Sequence, residues 1–300
     1  MHTRESDVNE RSPVSAGHLY VVATPLGNLG DLSPRALQVL AAVDAICAED
    51  TRNSGSLLAH FGIQRPLLAV HDHNEGSVCE ALIARLQAGE ALALISDAGT
   101  PLISDPGFVL VRAARAAGLP VLTVPGPCAA MAALSIAGLP SDRFVFEGFL
   151  PSKSGARRQR LQVLATEART LILYESSHRI LDAVDDLVAV LGGERPLCVA
   201  RELTKLHEES HTAPAAGIAA WLRDNPHRIK GEFVLIVGGA ETPVEAESVE
   251  GERVLRLLLA ELPASSAARL TAAIAGGRKK ELYALALRLS GKSEDEREAE

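Results

Sequence analysis

Ala91-Leu-Ala-Leu-Ile-Ser-Asp-Ala-Gly-Thr-Pro-Leu-Ile-Ser-Asp-Pro-Gly107 is the stretch that decides how this chain folds. Its first five residues are apolar and uncharged, the pattern of a short strand buried on both faces. The run stops at Ser96-Asp97, and two Gly and two Pro follow within eleven residues, so the backbone must turn repeatedly. Phe108 to Ala117 then reads as a helix closed by Gly118-Leu-Pro120. A buried strand that ends in a polar, bent loop and feeds a helix is where open α/β sheets bind ligands. Asp97, Thr100, Ser104 and Asp105 place four polar side chains there, to cap the helix or to face a ligand.

The same unit recurs on either side. His18 to Thr24 is a first strand running into Pro25-Leu-Gly-Asn-Leu-Gly-Asp31, after which Ser33-Pro34 opens a helix through Val43. That Gly-bearing loop is neither GxGxxG nor a Walker P-loop, which disfavours nicotinamide or ATP. Asp44 to Ala48 is a second strand, ending in Glu49-Asp50-Thr51-Arg52, either a helix cap with an ion pair or a substrate-facing acid/base cluster. A helix over 54–61 and a strand over 67–70 follow, the latter ending at His71-Asp-His73. A metal there lacks a third ligand at a convincing spacing, so no metal is expected. With Val121 to Cys128, residues 18–128 supply about five strands alternating with helices, which predicts a doubly wound, mostly parallel sheet. Its polar strand ends all share one carboxyl edge.

A second unit begins at Arg143-Phe-Val-Phe-Glu-Gly-Phe149. Further strands follow at 170–174, 197–200 and 231–237. Arg157, Arg158 and Arg160 sit in a basic loop-to-helix segment, as the solvated side of that helix or as phosphate contacts. Residues 254–260, 265–275 and 280–289 read as three short amphipathic helices, with Arg278-Lys-Lys280 in the last turn.

Composition locates the charge. The chain has 300 residues, is 47% hydrophobic but only 3% aromatic, and carries a net charge of −8. Residues 1–16, 241–250 and 291–300 hold −1, −4 and −3, which is the whole excess. Residues 251–290 are +4 and residues 17–240 are −4. A basic helical module therefore follows a mildly acidic body through an acidic linker, as suits a helix-turn-helix-like nucleic-acid arm or a docking cap. Absence of a long apolar stretch or a leader, with scattered Cys47, Cys79, Cys128 and Cys198, predicts a cytoplasmic protein outside the membrane.

Taken together, Ala23 to Pro34, Ala48-Glu-Asp-Thr-Arg52, Ser96 to Gly107, Pro125-Gly-Pro127, Tyr174-Glu-Ser176, Ala200 to Glu208 and Gly231-Glu-Phe-Val234 resemble the ribosomal RNA small subunit methyltransferase I family. That family lies in the tetrapyrrole methylase superfamily. The resemblance covers residues 18–290 and implies two α/β domains, 17–128 and 129–240, with S-adenosylmethionine bound in a cleft between them. It further implies a homodimer; composition sets the acidic linker at 241–250, the helical module at 251–290 and the disordered tails at 1–16 and 291–300. The implied activity is 2′-O-methylation of a cytidine ribose in 16S rRNA at the decoding centre. Carried over by position, the cofactor contacts are Pro25, Ala98, Gly99, Thr100, Ile103, Cys128, Ala129, Glu175, Arg201 or Glu202, and Gly231. Two departures stand out. Asn53-Ser-Gly-Ser56 follows the Glu-Asp-Thr-Arg motif where the family often has a basic residue, and Ser177 replaces a Pro.

A ribose hydroxyl is a poor acid, so a nearby carboxylate or Lys must take its proton late in methyl transfer. The candidates are Glu49, Asp50, Asp97, Asp105, Lys205 and Glu208. The RNA contacts expected are Arg157, Arg158, Arg160, Arg278, Lys279 and Lys280. A small-molecule, tetrapyrrole-like methyltransferase and a non-catalytic protein binding RNA or S-adenosylmethionine are the alternatives. Neither needs both a basic module and a proton acceptor.

Overall fold

A computed structural model describes residues 13–71, 74–240 and 244–289; Asp72, His73, most of the predicted N-terminal tail, residues 241–243 and the predicted C-terminal tail lie outside them. In the first domain β1 (Leu19–Val22), α1 (Pro34–Ala42), β2 (Ala45–Ala48), α2 (Thr51–His60), β3 (Leu67–Ala69), α3 (Glu75–Gln87), β4 (Leu92–Ile95), α4 (Phe108–Ala116) and β5 (Val121–Val124) alternate without exception. The five strands are all parallel, in the order β3-β2-β4-β1-β5. The chain thus leaves β1 toward one side of the sheet and leaves β4 toward the other, which opens a crevice at their shared carboxyl end.

Alternation of side chains along each strand builds two cores. Tyr20, Val22, Ile46, Ala93 and Ile95 pack on Val39 and Leu40 of α1 and Leu58 of α2. Leu19, Cys47, Leu92 and Leu94 pack instead on Leu82 and Leu86 of α3 and Leu110 of α4. Each such large apolar side chain contributes about 1.5–3 kcal/mol by leaving water. Ser33 caps α1 by accepting from Ala36 N at 3.1 Å. Asp50 caps α2 by accepting from Arg52 N at 2.8 Å, so that helix begins three residues earlier than the sequence pattern indicates.

The second domain comprises α5 (Ala129–Ile136), β6 (Phe144–Phe149), α6 (Ser154–Leu164), β7 (Thr170–Ser176), α7 (Ile180–Leu191), β8 (Pro196–Arg201), β9 (Glu209–Pro214), α8 (Ala215–Asp224) and β10 (Glu232–Val237). Strand order is β6-β7-β10-β8-β9, parallel only between β6 and β7. One face, with Ile172, Cys198 and Ile236, carries α5. The other, with Leu171, Leu173, Val199 and Leu235, carries α6, α7 and α8. Strand β9 is absent from the sequence reading. Its residues Glu-Ser-His-Thr-Ala-Pro form an outer strand whose alternate side chains face water, so no apolar run marks it.

Arg157 corrects a sequence expectation. It is buried, not an RNA contact, and its Nε lies 2.6 Å from Asp186 Oδ2, which joins α6 to α7. Asp186 also accepts from Ser154 Oγ at 3.0 Å and Arg158 Nε at 2.5 Å. Burial alone raises an acid's pKa. Here the bonds from Arg158, Arg157 and Ser154 outweigh it and hold the Asp186 carboxyl below its ordinary range. Arg158 and Arg160 reach solvent, yet Arg158 shares Asp186 and Arg160 pairs with Glu147.

A separate compact unit begins at Gly239. It contains α9 (Val244–Leu259), α10 (Ala264–Ala275) and α11 (Lys279–Leu289), centred on Leu255, Ala267 and Ala286. Residues 244–250, read as linker, belong to α9. Arg278, Lys279 and Lys280 are exposed at the turn into α11, after Gly276 and Gly277 at φ +78° and +88°.

Removing Asp186 leaves Arg157 as an unpaired buried cation. Asp186→Ala is therefore expected to lose about 3–5 kcal/mol in urea unfolding. Arg160→Ala, at a solvent-facing pair, is expected to lose less than about 1 kcal/mol. Equal losses would contradict the structural role given to Arg157.

Candidate active site

Three strand ends of the first domain are tied into one platform. Thr24, just past β1, is fully buried. Its N–H donates to Gly99 O at 2.8 Å, and Gly99 N donates back to Thr24 O at 3.0 Å. Thr24 Oγ1 donates to Ser96 O at 3.1 Å, and Thr100 Oγ1 donates to Pro127 O at 2.8 Å. The carboxyl ends of β1, β4 and β5 thereby converge. Gly99 adopts φ +85°, open to Gly without strain, and a Cβ there would press on Leu26.

Opposite this platform stand the end of β7 and the start of β10, paired at Glu232↔Ser176 and Val234↔Tyr174. Between platform and strands lies a cavity of about 370 Å³, within the range of small-molecule sites. Tyr174 accepts from Ala130 N at 3.1 Å and meets Phe149 edge-on at 5.7 Å. Burial, then the neighbouring Cys128 and Asp105, push the Tyr174 phenol above its ordinary range. A bulge at Gly148, with φ +70°, turns Phe149 into the cavity wall, and Gly148 lies close to Ser104 Oγ across the cleft. Asp105 adds a carboxylate to a mostly apolar lining, and Glu175 and Glu232 add two more that are paired with Arg179 and Lys205.

The structure sorts the sequence candidates. Ala98, Gly99, Thr100, Ile103, Cys128, Ala129 and Glu175 line the cavity; Pro25, Glu202 and Gly231 do not, although Leu26 and Glu232, next in sequence to Pro25 and Gly231, do. Glu175 lines it with a carboxylate already engaged: Arg179 Nε and Nη2 donate to it at 2.7 and 2.9 Å. Arg201 is no ligand. Its buried guanidinium donates to the carbonyls of His207, His227 and Lys230 and to Glu209. Of the candidate proton acceptors Glu49, Asp50, Asp97, Asp105, Lys205 and Glu208, only Asp105 lines the cavity.

Asp50, Asp97, Lys205 and Glu208 have visible work elsewhere. Asp97 accepts from Asp50 N at 3.1 Å and Asn53 Nδ2 at 2.9 Å, joining β4 to α2. Asn53, the departure noted in the sequence, thus has a local role. Asp50 caps α2, and the bond from Arg52 N holds its carboxyl low. Glu208 accepts from Thr204 N at 2.6 Å. Burial by itself lowers the Lys205 ammonium, but bonds to Glu232 and Glu202 outweigh this and hold it above its ordinary range. A lysine kept protonated cannot accept a proton, which corrects its place among the bases.

Ser104, one of the polar side chains of the central loop, also lines the cavity; Leu26, Phe149, Leu203 and Glu232 line it but escaped the sequence reading as site residues. One backbone signal points to two of their loops. All four positive-φ non-glycine residues among those described, Leu102, Ser104, Glu202 and Thr204, sit in the loop after β4 and in the strap 202–208. Among the described residues no cluster could hold a metal.

Comparison with known proteins agrees with this geometry. The family model of tetrapyrrole (corrin/porphyrin) methylases matches residues 18–219, and that of the RsmI C-terminal HTH domain matches residues 245–290. The chain is 55% identical to a ribosomal RNA small subunit methyltransferase I of Escherichia coli O157:H7, over 92% of this chain and 97% of that protein. It is 58% identical to one from Xylella fastidiosa (strain Temecula1), over 89% and 98%. The solved uroporphyrin-III-C-methyltransferase of Thermus thermophilus shares the fold at TM-score 0.53 and 22% identity, over 74% of this chain and 94% of that one.

Gly231 supplies a direct test of the packing behind the cavity. It has φ +98°, and a Cβ there would lie 2.4 Å from Glu202 Oε1. Gly231→Ala is expected to cost about 1–3 kcal/mol of stability. Gly155→Ala, in open space within α6, is expected to be neutral or stabilising by up to about 1 kcal/mol. Thermal and urea unfolding check both, and an unaffected Gly231→Ala would contradict the packing.

Proposed function

The chain belongs to the tetrapyrrole methylase family, and within it to the ribosomal RNA small subunit methyltransferases I; from that premise we propose that it methylates the ribose 2′-oxygen of a cytidine in 16S rRNA. The observation that carries this reading is the carboxylate-bearing cavity at the converging strand ends, in a chain that also has a basic helical module. S-adenosylmethionine, the methyl donor of the family, supplies an electrophilic methyl carbon. Its sulfonium charge suits a wall that carries Asp105, and its apolar parts suit Leu26, Ile103, Phe149 and Leu203.

Positioning dominates such a reaction, because the donor is already activated. The paired strand ends and the backbone of Ala98 to Thr100 form a rigid seat for the donor. Asp105 then takes the 2′-proton as the ribose oxygen bonds to the methyl carbon, leaving a neutral thioether. Arg278, Lys279 and Lys280 supply phosphate contacts from the C-terminal module. Arg157 is withdrawn from that role, and Arg158 and Arg160 keep it only where phosphate outcompetes Asp186 and Glu147.

A homodimer in the cytoplasm completes the reading. Leu122, Met131, Ile136 and Phe144 are exposed apolar side chains on β5, α5 and β6, which a second copy would cover. Among the described residues no helix is long and apolar enough to cross a membrane.

Tritiated methyl transfer to small ribosomal subunits lacking 2′-O-methylation tests the whole proposal, with 2′-O-methylcytidine the expected product nucleoside by mass. A methylated small molecule in place of RNA would overturn it. Asp105→Asn is expected to lower kcat by about 10²–10⁴-fold while S-adenosylmethionine still binds, and unchanged kcat would remove Asp105 as the acceptor. Replacing Arg278, Lys279 and Lys280 together by Ala is expected to raise KM for subunits and flatten its salt dependence, by about one unit of slope per lost phosphate contact.

A further inference from the structure

We propose that Lys205 is a positioning residue that latches the two α/β domains together beside the cofactor cavity; this rests on the reading of that cavity as the S-adenosylmethionine site. Its stem lies flat on the first domain. A Cβ built on Gly27 would come 2.3 Å from Lys205 Cγ, 2.9 Å from Cε and 3.0 Å from Cδ. Its ammonium remains with the second domain, 3.0 Å from Glu202 Oε1 and 2.8 Å from Glu232 Oε2. One side chain therefore touches both halves.

The segments it joins carry the cavity walls. Gly27 follows Leu26, and Lys205 lies two residues after Leu203; Leu26, Leu203 and Glu232 all line the cavity. The strap that presents Lys205 is held from beneath. Arg201 donates to the carbonyl of His207 within it and to that of Lys230 before β10, Glu208 accepts from Thr204 N, and Glu202 and Thr204 sit at φ +51° and +65°. Such backbone persists where surrounding bonds over-determine it, here fixing one lysine against one glycine. A solvent-facing lysine pair by itself contributes little, so the contact with Gly27 and the shared walls distinguish a latch from an ordinary ion pair. Only glycine leaves room for the stem.

Isothermal titration of the full-length protein with S-adenosylmethionine, without RNA, tests the latch, with stopped-flow dissociation beside it. Lys205→Ala and Gly27→Ala are each expected to weaken binding about fivefold or more and to speed dissociation. Lys205→Met, which keeps a stem, is expected to lose less. The double variant is expected to be no more than about twofold worse than the poorer single one, because both changes break one contact. Losses that multiply in the double variant, or wild-type affinity in Lys205→Ala, would overturn the latch. Should Gly27→Ala fail to fold, Lys205→Ala against Lys205→Met decides alone. A wild-type protein that binds no S-adenosylmethionine overturns the cofactor reading and the latch with it; a binding wild type with unchanged variants overturns the latch only.

Discussion

Everything at the site hangs from the two-way backbone bond between Thr24 and Gly99. Beyond the sheet, a chain has no ladder to hold it, and two loops leaving in opposite directions would otherwise splay. Thr24 prevents this with buried donors and an acceptor that have no water to turn to, so leaving any of them unpaired is costly. Gly99 makes the bond geometrically available by adopting a positive φ within reach of Leu26. With β1 and β4 joined there, Thr100 can reach Pro127 and draw in β5. The loops that carry Ala98, Ile103 and Asp105 then have a fixed base.

The first domain was legible because its strands are short, apolar and punctuated. Ala-Leu-Ala-Leu-Ile before Ser-Asp, or Ser33-Pro34 before a helix, states its structure locally. The second domain was legible strand by strand, except at β9, where an edge position removes the apolar signal. The candidate site was legible as an edge but not as a set of side chains. Asp97 and Asp105 occupy equivalent-looking places, each after a Ser in a turning loop. One ties α2 to the sheet and the other faces the cavity, and the difference lies in where α2 comes to rest, 44 residues away at Asn53. Glu232 and Phe149 were invisible for a like reason: a strand register and a bulge at Gly148 aim them.

Charge follows the same logic. Sequence patterning counts Arg157 as one more base in a basic segment, whereas Asp186 lies one helix later and decides its fate. Once both are buried, the pair is committed, since either alone would carry an uncompensated charge. Lys205 illustrates the converse. Its position in a motif suggests a base, yet two carboxylates within 3.0 Å keep it a cation. A residue's chemistry here is set by partners the local sequence does not contain.

The division of labour between the two sheets explains why the cavity lies between them and not within either. An all-parallel sheet offers loops at one edge but, with both faces buried under helices, no open wall. The second, largely antiparallel sheet brings the end of β7 beside the beginning of β10, so Tyr174, Ser176, Glu232 and Val234 form a wall of regular backbone. Loops from one domain thus close on strands from the other, and adaptable backbone meets rigid backbone across the cavity. At two points where the sides meet, Gly27 against the Lys205 stem and Gly148 against Ser104 Oγ, one partner is a glycine. A Cβ at either point would press on the facing side chain, so the approach of the two sides there depends on an absent side chain as well as on those present.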